Sequence, residues 1–389
     1  MWGTCDMRTR NLDRTKVKIN VVLVSASDFS LGRGLYLAKA FSSLGLGVTI
    51  LTNKPFYASS DQSQGKSAVD FDAQVIEFRI PFAKALYRSV PGRLIIYIIF
   101  ALHCFAEILV TNTRPRILYS RGPHPFTEIS CILYGIFNKR TKIISDTTDL
   151  WPDALKYVKM NSILKYLLIS VGHAVNRLVY SKVDEIVTLN DLMSQILMKR
   201  FERNVDIIHG AIDLARFRPM TKDEALKALP KIASKRSTTK FVVLYAGIIG
   251  PFQNPLVMLS LAKRVQDNDD MFFVIIGTGP LKDDLKHEIK KFSLENVEIL
   301  DPIPHEKMPL IYNIADVVLV PPPSHTTRGI HEYFRITLPK KLIEYAACGK
   351  PILCVTPRCV ASDFCLKWEA GFHVWPEDID KAYEAISIL

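Results

Sequence analysis

Short apolar runs alternate with amphipathic stretches along most of the chain. Residues 17–25 are the first such run, and its β-branched, unalternating character predicts a strand buried on both faces. A turn, SDFSLGRG, and a helix-period stretch, LYLAKAFSSLG, follow, with Gly45 placed to end the helix. Residues 48–52 repeat the apolar run, so the chain opens as a βαβ unit. Further strands are predicted at 74–80, 116–120, 142–146, 185–189 and 205–208. Helices are predicted at 94–110, 127–137 and 163–180, with another between the last two strands. Residues 57–70 are polar and read as a loop. Residues 213–240 are charged and interrupted by Pro219 and Pro230, which predicts a domain junction. The alternation then restarts, with strands at 241–246, 271–276, 297–300 and 317–321. Helices are predicted at 254–265, 281–292 and 308–314. A long loop, 321–337, leads into LPKKLIEYAACGKPIL. There Pro339 opens a helix, Gly349 closes it, and Pro351 starts another buried strand. Alternation twice over predicts two doubly wound parallel sheets, with ligands at the carboxyl ends of the strands.

Composition narrows the chemistry. The 389 residues are 48% hydrophobic and 23% charged, the balance of a globular protein with two domains. A net charge of +11 favours an anionic partner. No long basic run, zinc-finger spacing or aromatic RNA-binding signature occurs, so no nucleic acid is expected. Seven scattered cysteines without CxxC spacing exclude a disulfide scaffold. The group Cys348, Cys354, Cys359 and Cys365 reads as buried thiols ahead of a metal site, and no metal is expected. Residues 1–16 are polar, lack an apolar h-region and are expected to form a flexible tail. Residues 94–110 are nearly all apolar but short for a membrane span, and they carry His103 and Glu107. A helix that is buried or faces a membrane is the better reading.

The Gly32-Arg33-Gly34 turn fails as a dinucleotide fingerprint. Leu37 stands where the third glycine belongs, and Thr52 and Asn53 where an acid belongs. A turn presenting N–H groups to an anion and a plain tight turn both remain open. GxxxxGK[ST], HExxH and GxSxG are absent. Lys340 and Lys341 in a helix's first turn oppose its dipole, a cost that an anion bound there would offset.

Several motifs in order resemble the retaining GT-B glycosyltransferases of family 4. They are Asp149-Leu150-Trp151-Pro152; Gly210-Ala211-Ile212-Asp213 with Phe217 and Pro219; Gly247 and Gly250; Gly277-Thr278-Gly279-Pro280; Ala315-Asp316-Val317; and the block Pro339, Lys341, Glu344, Tyr345, Ala346, Gly349, Lys350 and Pro351. The resemblance runs over nearly the whole chain. It implies two Rossmann-like domains facing across a cleft. Residues 17–212 would bind the acceptor and 213–389 the nucleotide-sugar donor.

By that resemblance Glu344 accepts hydrogen bonds from the donor ribose, and Lys341 neutralises the diphosphate as it leaves, without a metal or other cofactor. A salt-bridged helix carboxylate is the plainer reading of Glu344, and the apolar helix face argues against it. Lys340, Gly247, Gly250, Gln253, Gly277 and Gly279 complete the expected donor side, with Gly32, Arg33 and Gly34 as a phosphate loop. The family's earlier glutamate falls at Ile336, so its role passes to Glu332 or is missing. Ile248 and Gln253 stand where the family has Arg and Lys. Asp149 either touches a sugar or starts an Asx turn. Arg121 and His124 follow a strand end and are placed on the acceptor side.

The implied reaction moves a sugar from a nucleotide-diphosphate donor to a glycan, polyprenol-linked or otherwise, in surface polysaccharide synthesis. The enzyme would be cytoplasmic, in peripheral contact with the membrane through 94–110 or the lysine-rich 156–177 region. A nucleotide-sugar 2-epimerase and a non-catalytic partner subunit are the rival readings.

Overall fold

The computed structural model describes residues 20–25, 32–53, 71–80, 83–86, 89–110, 114–122, 125–157, 160–228, 241–266, 270–323 and 334–388. Two sheets account for the predicted alternation. The first holds β1 (Asn20–Ser25), β2 (Gly47–Asn53), β3 (Ala73–Phe78), β4 (Ile117–Gly122), β5 (Lys142–Thr147), β6 (Glu185–Thr188) and β7 (Asp206–Ile207), in the order β3-β2-β1-β4-β5-β6-β7. The second holds β8 (Phe241–Ile248), β9 (Met271–Thr278), β10 (Val297–Leu300), β11 (Val317–Val320), β12 (Ile352–Val355) and β13 (Gly371–Val374), in the order β10-β9-β8-β11-β12-β13. The pairings around β1 and β8 are parallel. Each sheet reverses its winding beside its first strand, at β1/β4 and β8/β11, which is where an open α/β sheet leaves room for a ligand.

By packing, the chain forms two compact units, residues 1–146 with 182–184, and residues 147–181 with 185–389. In the first, Ile50, Leu23 and Tyr119 stand in register on β2, β1 and β4. Leu35, Leu37, Ala38 and Phe41 of α1 (Arg33–Ser43) cover this layer. One residue pair further along, the same face turns polar, with Thr52, Ser25 and Arg121 in register. The helices α2 (Ala83–Leu86), α3 (Val90–Val110) and α4 (Phe126–Phe137) follow. α4 packs on α3, with Ser130 Oγ donating to the Ala101 carbonyl at 2.6 Å.

In the second unit the two faces of the six-stranded sheet carry separate apolar layers. Val243, Tyr245, Phe273 and Ile275 lie on one; Leu244, Ala246, Val274, Leu342 and Tyr345 lie on the other. α5 (Ser162–Tyr180) also belongs to this unit, its first turn capped by Asn161 Oδ1.

Two features differ from the expectation. The charged stretch 213–240 contains a helix, Lys222–Ala228, capped by reciprocal bonds between Thr221 and Glu224. Its TKDE sequence is a capping box. Structure also continues past the last predicted strand, through the helices Val360–Lys367 and Ile379–Ile388 with β13 between them. The proposed loop 57–70 and most of 321–337 lie outside the described residues. The six described cysteines are free and buried, and burial pushes the Cys348 thiol up to about 11.

Candidate functional site

β8 ends against the helix Lys340–Ala347. Pro339 precedes that helix in extended conformation, so its first turn starts abruptly beneath the strand end. Leu342 and Tyr345 point into the core, and the Tyr345 hydroxyl accepts from the Ala246 N–H at 3.4 Å. Lys341 is carried to the same side. Its Nζ lies 4.0 Å from the centre of the Tyr245 ring and has no hydrogen-bond partner among the described residues. Burial lowers its pKa to about 7, and the nearby Glu344 carboxylate only partly restores it. A Cβ on Gly247 would overlap Lys341 Nζ. That glycine, at φ +154°, leaves room for the amine at the carboxyl end of β8. An ammonium kept from water without an acceptor is costly, and an anion placed beside it removes the cost.

Glu344 is also buried, and both of its carboxylate oxygens have partners. His305 Nε2 lies 2.9 Å and Lys340 Nζ 3.2 Å from Oε1, and the Tyr312 hydroxyl donates to Oε2 at 2.9 Å. Burial pushes its pKa up; the His305 hydrogen bond and the Lys340 charge outweigh this and hold it below the usual value. The expectation of an unpaired carboxylate on an apolar face is therefore corrected. The reason is tertiary, since His305 and Tyr312 come from another segment. It is Lys340, one turn earlier, that supplies the ion pair. Arg216 reaches His305 Nδ1 at 3.3 Å and stacks over Phe217, extending the cluster.

The glycines divide by role. A Cβ on Gly277 would overlap the Gly247 carbonyl, and one on Gly279 would overlap the Ile249 carbonyl, so both are needed for β8 and β9 to approach. A Cβ on Gly250 meets nothing closer than 3.6 Å. Gln253 closes a bridge with Gly250, and its Oε1 lies 3.3 Å from the Tyr245 hydroxyl, beside the ring that faces Lys341. Ile248, where a basic residue was expected by resemblance, is 72% exposed at the strand end. Ile336 is buried, and Glu332 lies outside the described residues.

In the amino-terminal unit Gly32 precedes α1 as its N-cap, but the Arg33 side chain turns inward. Its Nε and Nη2 lie 2.7 and 3.1 Å from the two carboxylate oxygens of Asp146, both residues buried. Arg33 is thus tied to β5, which argues against its service as a phosphate ligand. Arg121 donates to Ser25 Oγ at 3.3 Å, in the polar row above the Tyr119 layer. His124 lies outside the described residues. Asp149 follows β5 in the second unit. Its carboxyl has no hydrogen-bond or ion-pair partner among the described residues, so no Asx turn forms, and burial raises its pKa to about 6. Sequence reasoning missed Asp146, His305, Tyr312 and Tyr245. His305 sits in the PHEKMP turn, whose only signal was a histidine before a helix start.

Solved structures align with 95% of the chain. Sucrose-phosphate synthase of Thermosynechococcus elongatus does so at a TM-score of 0.65 and 13% identity, over 89% of that chain. The HepE protein of Anabaena, in complex with UDP and glucose, does so at 0.59 and 13%, over 89% of its chain. The fold is GT-B. Within this GT-B chain, residues 230–389 match the family model described as glycosyl transferases group 1. Among curated proteins, the D-inositol 3-phosphate glycosyltransferase of Mycolicibacterium gilvum is 30% identical over 156 residues, 38% of this chain and 31% of the relative. The UDP-Gal:alpha-D-GlcNAc-diphosphoundecaprenol alpha-1,3-galactosyltransferase of Escherichia coli is 26% identical over 186 residues, 47% of this chain and 44% of the relative. The GT-B chain therefore spans less than half the length of each of these relatives.

Proposed function

We propose that this chain is a retaining glycosyltransferase taking a sugar from a uridine-diphosphate donor. The observation that carries the reading is Lys341: a buried amine without an acceptor among the described residues, at the switch point of the carboxyl-terminal sheet. The match of residues 230–389 and the uridine nucleotides named for similar proteins support it. The donor diphosphate would lie against Lys341 at the end of β8, with Gly247 keeping the approach open. As the anomeric carbon–oxygen bond breaks, charge grows on the leaving phosphate and Lys341 stabilises it. The acceptor hydroxyl would attack the same face of that carbon, and its proton would pass to the leaving phosphate oxygen. No protein nucleophile is then required, and Lys341 supplies the charge a metal ion would otherwise bring. Glu344 would orient His305 and Lys340 at the rim of the site, keeping one lone pair of Oε2 for a donor hydroxyl. Asp149, its pKa raised to about 6 by burial, would hydrogen-bond a sugar hydroxyl.

The acceptor domain would be the amino-terminal one, and the acceptor a lipid-diphosphate-linked glycan at the cytoplasmic face of a membrane. One curated relative acts on a diphosphoundecaprenol-linked sugar, and another is the alpha-monoglucosyldiacylglycerol synthase of Streptococcus pneumoniae, 27% identical over 213 residues.

The test is transfer from radiolabelled UDP-hexoses to a short-chain polyprenyl-diphosphate sugar, with the product's anomeric configuration read by NMR. Retention of the donor's configuration is expected. An inverted product, or UDP-sugar epimerisation without transfer, overturns the reading.

A further inference from the structure

α3 is apolar on both of its faces. Ile96, Phe100, Cys104 and Ile108 are buried against the unit, as the core requires. Yet Ile95, Ile98, Leu102 and Leu109 recur at helical spacing on the opposite side and are 42–63% exposed. Only 22% of the helix's apolar window is buried, so α3 is no ordinary core helix. It also cannot be a span, because it is the crossover between β3 and β4 of one parallel sheet. The neighbouring α4 repeats the pattern: Leu133, Ile136 and Phe137 are exposed, Phe137 by 76%. Both helices return from the carboxyl to the amino edge of the sheet, so their apolar ends emerge together. Two helices that pack on each other and both expose large apolar side chains form the kind of surface that marks an interaction site.

The charge around that end is basic. Arg114, Arg116, Lys139, Arg140 and Lys142 are exposed on the segments leaving α3 and α4. These segments are joined, since Thr141 Oγ1 donates to the Pro115 carbonyl and the Lys142 N–H to the Arg116 carbonyl. Only Lys142 is neutralised by a described acid, Asp184. On α3 itself Glu107 is turned toward His103.

We infer that the α3–α4 face of the amino-terminal unit lies flat on an anionic lipid bilayer, with Leu102, Leu109, Ile136 and Phe137 in the acyl boundary and Arg114, Lys139 and Arg140 among the headgroups. Apolar area facing outward and a cationic collar at its edge are the two components of interfacial binding. The surface deepens the reading of a lipid-linked acceptor, but it is read without any turnover, so either can fail alone.

The experiment is co-sedimentation of the full chain with phosphatidylcholine vesicles and with vesicles containing 30% phosphatidylglycerol, at about 0.1 M and 0.5 M salt. Binding at least tenfold stronger to the anionic vesicles, weakened by salt, is expected. The pair Leu102→Asp and Ile136→Asp, and the triple Arg114→Glu, Lys139→Glu and Arg140→Glu, are each expected to lose at least tenfold. Because all five side chains are exposed, an unchanged melting temperature shows that the variants fold. Equal binding to both vesicles, no binding, or variants that bind as well as the parent overturn the inference. So does a dimer in solution that Leu102→Asp dissociates, since a second copy would then cover the face.

Discussion

Lys341 Nζ sits 4.0 Å above the Tyr245 ring, and the ring's hydroxyl donates at 2.6 Å to the Ile248 carbonyl. The ring is thereby pinned and offers the amine its face, which is a weak substitute for an anion. The folded protein holds this lysine near pKa 7, whereas the unfolded chain protonates it up to about 10.4. Between those values the unfolded state binds more protons, so stability rises with pH through this window. Lys341→Met is expected to be more stable than the parent at pH 7 by roughly 2–4 kcal/mol. The difference should shrink toward pH 10, as read from urea midpoints. A diphosphate beside the amine raises its pKa, so UDP binding at pH 8 should take up a proton. Calorimetry in buffers of different ionisation enthalpy measures that uptake.

Asp149 carries the opposite sign. Its folded pKa of about 6 exceeds the ordinary value of 3.8, so stability is lost as pH rises from about 4 through 6. Asp149→Asn is expected to stabilise the fold by about 2–3 kcal/mol at pH 8 and to make little difference below pH 4. Transfer activity should fall with the same substitution. Thermal melts across pH, beside a transfer assay, separate the two effects.

Gly277 and Gly250 were equally plausible donor glycines, and they should behave differently. Gly277→Ala forces a methyl into the Gly247 carbonyl and is expected to cost about 3 kcal/mol or more. Gly250→Ala meets ordinary contact distances and should stay within about 1 kcal/mol. Chemical denaturation of the two variants decides it.

Arg33 and Asp146 form a two-point ion pair away from water. Arg33→Met removes the two-point partner of the buried Asp146 carboxylate, leaving Arg121 as its neighbouring positive charge, and should cost about 3 kcal/mol. Adding Asp146→Leu should recover much of that loss. A double-mutant cycle in urea gives the coupling. Strictly additive losses would show that the pair does not act as a unit.

The strands were legible because sheets covered on both faces need apolar runs, and those runs dominate the sequence around β1, β2, β8 and β9. The Lys222–Ala228 helix was not, because its charged face resembles a linker; the TKDE cap was the one available signal. The sequence named both Lys340 and Lys341 but could not assign them. One residue of helical rotation, fixed by Leu342 and Tyr345 entering the core, sends Lys341 under β8 and leaves Lys340 to pair with Glu344. The partners of Glu344 and Arg33 come from segments far along the chain, and no local pattern announces such pairs. Ile248 and Ile336 were legible as departures from the family pattern, but what replaces the missing charges was not.

Calorimetric titration of UDP, beside GDP and ADP, into the parent chain and Lys341→Met tests the central claim most directly. Loss of one charged hydrogen bond corresponds to about a 10–100-fold change in affinity. The expected result is UDP binding by the parent, preferred over the other two nucleotides, and weakened by that factor in a variant that melts no earlier. Failure of the parent to bind UDP, or equal binding by Lys341→Met, would contradict the assignment of the donor diphosphate to Lys341.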